Sequence, residues 1–479
     1  MDQTTCGSLA YENNFANQQA SPQIKHIRPY RLAHQALCLT QIDFDQCIVI
    51  GFTQMTIWPL VNNLRWLHIN CRQCRIHRIM LEPAGDPSDS NDFDSTGSSV
   101  VTRGNLHSSH HNSLPNPMDL PVVYNDPSIE ICKRDSKLRT LDSFQRRHTA
   151  VVSMADADEG MGEVTIRLPL SYWSFIAAKG PLRITLEFSL TRPKAGFYFV
   201  IPAKDGQIYD ADDRGIHAFT SASPNSSRLW FPCIDSSEPC TWKIEITVDE
   251  DMVAVAPGDL LEAPHYTEDL KRKTYHFYVA VPVSAPCIGL AIGAFDIFPD
   301  TRLPNLATHF APKGLLPILK HTVKPIADII EYYESLLASE FPFSTMKLVF
   351  VDQAYEAEFQ SYASLIILPV DLLHSSRIIE QTIATRRILA QAVASQIFGC
   401  FIGMHTWCDA WLPLGLAGYL AGLYQRRVFG NNEYRHTTAT QMRYVTNFEH
   451  TKHGIILDAS QTLPVKKTTY FNLKLPQLL

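Results

Sequence analysis

His405 and Cys408 lie three residues apart, a spacing that suits one helix face, and Asp409 follows directly. Nitrogen, sulfur and oxygen donors of these kinds are what a zinc ion takes, so this trio is one candidate for a catalytic metal site. Cys71-Arg-Gln-Cys74 offers two thiols, but a structural zinc site normally takes four ligands and no second CxxC pair exists. Two thiols on a half-buried strand are the plainer account. His107, His110 and His111 stand in a polar tract and read as solvated side chains rather than ligands. Glu356 and Glu358 read as exposed loop charges. Gly-x4-Gly-Lys-Ser/Thr, Gly-x-Ser-x-Gly and Gly-x-Gly-x-x-Gly after a strand are all missing. A phosphate cradle, a serine-hydrolase elbow and a dinucleotide fold therefore have no support.

The elements that would carry a site are legible in the patterning. The chain has 479 residues, 45% of them apolar and 19% charged. At roughly 150 residues per domain this predicts two large domains or three smaller ones, with a sizeable core. Leu182, Ile184, Leu186, Phe188 and Leu190 alternate strictly, as do Trp242, Ile244, Ile246 and Val248, which predicts strands with one buried face. Near residue 320 the period changes. After Pro325, the residues Ile326, Ile329, Ile330, Tyr333, Leu336 and Leu337 share one helical face, and Phe341-Pro342-Phe343 is expected to end that helix. A strand is predicted at Lys347–Val351, then apolar helices near Thr385–Phe401 and Trp411–Arg426. An antiparallel β domain is thus followed by an α-rich one.

Composition narrows the function classes. The 42 Lys and Arg against 48 Asp and Glu give −6, which argues against a dedicated polybasic nucleic-acid binder but leaves room for a local patch. Lys271-Arg272-Lys273 and Lys466-Lys467 are the candidates for touching phosphates, although two or three adjacent cations are usually solvated surface. Eleven scattered Cys point to a reducing compartment. The N-terminus lacks a basic region followed by an apolar core, so no secretory signal is expected, and the sequon at Asn225 is read as chance. Thr274–Phe295 and Ile388–Cys408 are uncharged, but prolines and glycines interrupt the first and polar residues dilute the second. Both are expected to be buried elements, not membrane spans.

The stretch 385–419, TRRILAQAVASQIFGCFIGMHTWCDAWLPLGLAGY, resembles the active-site hairpin of the gluzincin aminopeptidases. Gln396-Ile397-Phe398-Gly399 matches their Gln-Trp-Phe-Gly. Trp407-Cys408-Asp409-Ala410-Trp411-Leu412 and Gly415-Leu416-Ala417-Gly418-Tyr419 match their Trp-Asn-Asp-x-Trp-Leu-Asn-Glu-Gly-Phe-Ala-x-Tyr. Ser227-Arg228-Leu229-Trp230-Phe231-Pro232-Cys233-Ile234-Asp235 is similar to their Ala-Arg-Arg-x-Phe-Pro-Cys-x-Asp, and Val253–Gly258 occupies the place of their Val/Ala-x-Ser-Asn turn.

In that family His-Glu-x-x-His-x18-Glu holds a zinc ion and supplies the base that activates its water. The resemblance puts Gln391 at the first His, Ala392 at the Glu, Ser395 at the second His and Leu414 at the third ligand, so all four functional groups are replaced. Asp409 then takes the family's Asp position. The family's Gly-Ala-Met-Glu-Asn, which grips a substrate amino terminus, corresponds to Glu358–Ser364, with no Glu where the grip should be. Losing a general base alone costs about 10²–10⁴ in rate. The resemblance therefore implies a non-enzyme without cofactor, metal or small-molecule substrate. The rival reading is a metallo-aminopeptidase with a relocated metal site at His405, Cys408 and Asp409.

A degenerate branch of the same family, found among the subunits of the general transcription factor TFIID, is more similar still. The likeness lies in residues 28–32, 73–78, 124–127, 228–236, 240–243, 290–293, 362–364, 385–387, 398–402 and 429–436. It implies a saddle-like antiparallel β domain over 24–305, with a flexible insertion at 83–117, after a disordered lead-in at 1–23. A truncated, thermolysin-like α-rich remnant without zinc ligands over 306–455 and a divergent tail over 456–479 would follow. It further implies a nuclear scaffold in RNA polymerase II preinitiation complex assembly at the core promoter. Its expected partners are the largest TFIID subunit, a histone-fold subunit and, indirectly, TATA-binding protein. Promoter DNA through Lys271, Arg272 and Lys273 is the further partner to test.

Overall fold

The computed structural model describes residues 28–84, 130–133, 162–201, 215–222, 226–235, 238–352, 358–404 and 409–452. The lead-in at 1–23, the insertion beyond Ala84, the tail at 456–479, His107, His110, His111, Asn225, Glu356, His405, Cys408, Lys466 and Lys467 lie outside these residues.

Eight strands build the main sheet of the N-terminal half: β1 (Tyr30–Asp43), β2 (Ile48–Pro59), β3 (Arg75–Pro83), β4 (Leu182–Thr191), β5 (Cys240–Asp249), β6 (Asp259–Leu260), β7 (His265–Tyr266) and β8 (Arg272–Val283). Their order is β6-β8-β5-β1-β2-β4-β3, with β7 also pairing with β8. All pairs are antiparallel except β1 with β5, which run parallel with Gln35 opposite Trp242. The alternation in β4 and β5 has the consequence expected of it. Leu182, Ile184, Leu186, Phe188 and Leu190 are at most 1% exposed, and Trp242, Ile244, Ile246 and Val248 join the same core. Lys243 and Glu245 point to the opposite, outer face. Smaller sheets, one from Trp66–Ile69, Glu130–Lys133 and Val164–Arg167 and one from Phe197–Val200, His217–Thr220, Val253–Val255 and Ala291–Gly293, complete this half.

A buried ionic knot ties the loops of this half together. Arg228 donates from Nε to Asp235 Oδ2 (2.9 Å) and from Nη1 to Glu163 Oε1 (3.2 Å), while Arg72 also grips Glu163. Burial pushes the Glu163 carboxyl up, but Arg228 and Arg72 outweigh it and hold it below the usual range. Cys71 and Cys74 sit in the adjoining connection rather than on a strand, and both are buried. None of the eight described cysteines is in a disulfide.

The second sheet contains β9 (Phe295–Pro299), β10 (Ala307–Pro312), β11 (Met346–Val351), β12 (Gln360–Tyr362) and β13 (Leu365–Pro369), in the order β9-β10-β11-β13-β12. It starts at Phe295, ahead of the boundary placed at 306. β10, β11 and β13 are parallel, and every residue of β11 is buried, as a strand covered on both faces requires. Helices α1 (Leu316–Val323), α2 (Ile326–Leu337), α3 (Ile379–Ile397), α4 (Trp411–Phe429) and α5 (Asn431–Lys452) accompany it. Helix α2 buries Ile326, Ile329, Ile330 and Tyr333, but Leu336 is 44% exposed. The helix also ends before Phe341-Pro342-Phe343. Ala338 takes a left-handed φ of 50°, its N–H donates to the Glu334 carbonyl, and the Glu334 carboxylate accepts the Phe341 N–H. Among the described residues no helix is long and apolar enough to cross a membrane.

The two halves meet around Lys347 of β11. Its buried Nζ donates to the carbonyls of Ala256 and Gly258 and lies 4.9 Å from the Phe277 ring centroid. Two carbonyl acceptors match the two N–H donors of a neutral amine, and burial pushes this amine down to about 7. Between that value and the unfolded value of 10.5, the unfolded chain binds a proton that the folded chain does not, so stability rises with pH. Unfolding free energies from urea titrations at pH 7 to 10 are expected to climb by up to about 1.4 kcal/mol per pH unit from this group. In Lys347→Met that slope is expected to vanish; an unchanged slope would refute the assignment.

Candidate functional site

Helices α3 and α4 pack along one another and carry the sequence region whose chemistry was in question. Helix α3 is apolar nearly all round from Ile388 to Ala394 and is correspondingly buried. It ends by loosening: Cys400, Phe401 and Ile402 donate their N–H groups to the carbonyls of Ser395, Gln396 and Ile397, five residues back. Gly399, at φ 144°, closes this turn, and a Cβ there would come within 3.0 Å of the Ser395 carbonyl oxygen.

Gln391 lines a shallow, open cleft between α3, α4 and α5, with Arg387, Tyr419, Gln425 and Tyr434. Ala392 faces the other way, 0% exposed in the core with Leu389 and Val393. The Ser395 hydroxyl donates to the Gln391 carbonyl at 2.9 Å, a bond back to its own helix. Leu414 is half-buried near the start of α4 and does not line the cleft. The cleft wall offers a guanidinium, amides and hydroxyls. Among the described residues it holds no carboxylate, imidazole or thiol, so it has none of the donors that zinc takes. Of the rival trio only Asp409 is described, half-buried just ahead of α4.

Sequence reasoning missed what Gln396 does. Fully buried, it accepts the Ser364 N–H at 2.8 Å and donates to the Ser361 hydroxyl at 3.0 Å. This fixes α3 to the β12–β13 turn, where Ser364 holds a left-handed φ of 60°. The segment that corresponds to the substrate grip is likewise committed to protein. Gln360 Oε1 accepts the Ala222 N–H (2.8 Å), Thr220 donates its hydroxyl to the Tyr362 hydroxyl (3.1 Å), and Ser364 Oγ accepts the Gly258 N–H (2.8 Å). All three partners belong to the N-terminal half, so this segment clasps the two halves together. Glu358 is exposed, with its carboxylate 3.8 Å from Arg387.

Lys271 is exposed in a turn, while Arg272 and Lys273 are half-buried on β8, with Arg272 opposite Asp249. Burial lowers the Lys273 amine, and the nearby Asp251 and Glu250 act against that shift. These carboxylates offset the positive charge of the trio.

The Peptidase M1 N-terminal domain family matches residues 122–285. The chain is 41% identical over 431 residues to transcription initiation factor TFIID subunit 2 of Danio rerio, covering 90% of this chain and 33% of that protein. It is 40% identical over 456 residues to the Drosophila melanogaster protein of the same name, covering 94% and 34%. Glutamyl aminopeptidase of Sus scrofa is 24% identical over 256 residues, covering 51% and 26%. The chain thus spans about a third of the length of the TFIID relatives it matches. Native yeast LTA4 hydrolase superposes with a TM-score of 0.64 at 13% identity, covering 94% of this chain and 58% of that one, a likeness of fold alone.

Proposed function

We propose, because this chain belongs to the TFIID subunit 2 family of peptidase M1-like proteins, that it is a non-catalytic scaffold of general transcription. Its place would be in the nucleus, within TFIID, supporting core-promoter binding and preinitiation complex assembly. Its partners would be other TFIID subunits, with the largest subunit and a histone-fold subunit in direct contact and TATA-binding protein reached through them. The observation that carries this reading is Ala392 in the core beside a cleft lined without carboxylate, imidazole or thiol among the described residues. Hydrolysis at a metal-bound water needs both a ligand set and a proton acceptor, and Gln391, Ala392, Ser395 and Leu414 supply neither. A concave surface between packed elements is retained, and such surfaces serve binding as readily as chemistry.

The commitment of Gln360, Tyr362 and Ser364 to residues of the N-terminal half also supports a scaffold: a rigid two-part body suits assembly better than turnover. Against DNA contact by Lys271, Arg272 and Lys273 stand Asp249, Glu250 and Asp251, which lie beside them and offset their charge. The test pairs two measurements on the full chain. Expressed with a tag in cells, it is expected to co-purify from nuclear extract with the largest TFIID subunit and TATA-binding protein. Purified, it is expected to release no amino acid from aminoacyl substrates. Chelator-sensitive turnover would favour the relocated metal site at His405, Cys408 and Asp409 and overturn this reading.

A further inference from the structure

The outer face of the main sheet gathers side chains that the scaffold reading does not use. Glu245 on β5 stands directly opposite His276 on β8. His265 on β7 stands opposite Thr274, two residues along β8 from His276, so all three project from the same face. Glu262, in the turn leading into β7, reaches back to His265, with its Oε1 2.6 Å from Nε2. The backbone of this turn is pinned to the sheet, since the Leu261 N–H donates to the His276 carbonyl at 2.9 Å. The two imidazoles meet edge to face at 5.6 Å between centroids. One ligand atom each from Glu262, His265 and His276 lies within 4.8 Å of the others.

The set is not merely a crowd of polar groups. Glu245 Oε1 lies 3.5 Å from His276 Nδ1, and the same carboxylate is held by Lys243 Nζ (2.8 Å) and the Cys38 thiol (3.2 Å). A carboxylate at one ring nitrogen fixes a histidine's tautomer and orientation and leaves the other nitrogen for a metal, the support that zinc-binding imidazoles usually have. Glu262 and His265 have side chains 49% and 55% exposed, so both can rotate to close on an ion at the ~2.0–2.2 Å that zinc requires.

We propose that Glu262, His265 and His276 form a surface site for a zinc-class divalent cation, with Glu245 as the positioning residue and the fourth position open to water. Two imidazoles and a carboxylate favour such an ion over calcium or magnesium, which take oxygen ligands. The ion would clip the β6–β7 edge of the sheet to β8. The site lies apart from the α3–α4 cleft and does not depend on the transcription reading.

Equilibrium dialysis of the full chain against buffered free Zn²⁺, with Co²⁺ absorption as the spectroscopic probe, tests it. Wild type is expected to bind one zinc ion that His265→Ala and His276→Ala each lose, with Co²⁺ bands of an N/O site that vanish in both. Glu245→Gln is expected to weaken binding by about 10–100-fold while leaving the fold, read by circular dichroism, unchanged. No zinc binding at micromolar free metal, or equal binding by the His265→Ala/His276→Ala double variant, would overturn the proposal. So would a Glu245→Gln variant that binds as wild type does, for the positioning role.

Discussion

Arg228→Ala is expected to lower the free energy of unfolding by about 3–5 kcal/mol, because it strands buried carboxylates rather than because it removes an attraction. Arg228 is 0% exposed and is bonded to Asp235, whose side chain is 1% exposed, and to Glu163, whose side chain is 15% exposed. Arg72 would still reach Glu163, but the buried Asp235 carboxylate would lose its 2.9 Å ion pair. The loss should appear in the urea midpoint at neutral pH. A loss under about 1 kcal/mol would mean that water enters the knot and screens it, as at a surface pair.

Ala392→Glu is expected to cost about 3–5 kcal/mol as well, through an uncompensated buried charge in a filled core. This substitution restores the family's general base to the position the hairpin assigns it. In an enzyme that position opens onto the reacting water; here Ala392 is 0% exposed and belongs to the apolar core of the second half. Gln391→Glu, one residue away on the cleft wall, is the control, and its expected effect stays within about 0.5 kcal/mol. Equal effects of the two substitutions on the urea midpoint would show that Ala392 faces an open cavity after all.

Local patterns were legible wherever one face of an element is buried. The alternation of β4 and β5 and the apolar stripe from Ile326 to Tyr333 were readable because period alone decides which side chains meet the core. Leu336 was misread because burial on α2 stops a turn before the helix does, at a limit set by neighbouring elements. On α3 the pattern was silent for the opposite reason: a helix apolar nearly all round does not say which side meets the sheet, so the full burial of Ala392 against the half-burial of Gln391 had to be seen. Gln396 was visible only as part of a motif, since its partners Ser361 and Ser364 lie over thirty residues upstream on another element. Glu262, His265 and His276 escaped notice because Glu262 lies in a turn and the two histidines lie on different strands. A search combining the three-residue spacing with the period of β8 would have found them. The partners of Arg228 were half legible: Asp235 is seven residues away in the same motif, but Glu163 is 65 away.

The parallel pairing of β1 with β5 has a consequence for how the chain is made. The Cys38 thiol meets Glu245 across 207 residues of sequence, so one long side of β1 has no native neighbour until β5 has left the ribosome. At roughly 5–20 residues per second, that interval is on the order of 10–40 s. Meanwhile an apolar ribbon already joined to β2 presents its bare edge to every other nascent chain nearby. Biogenesis of this protein should therefore lean on chaperones that shield such an edge, and its yield should respond to translation speed more than its final stability does.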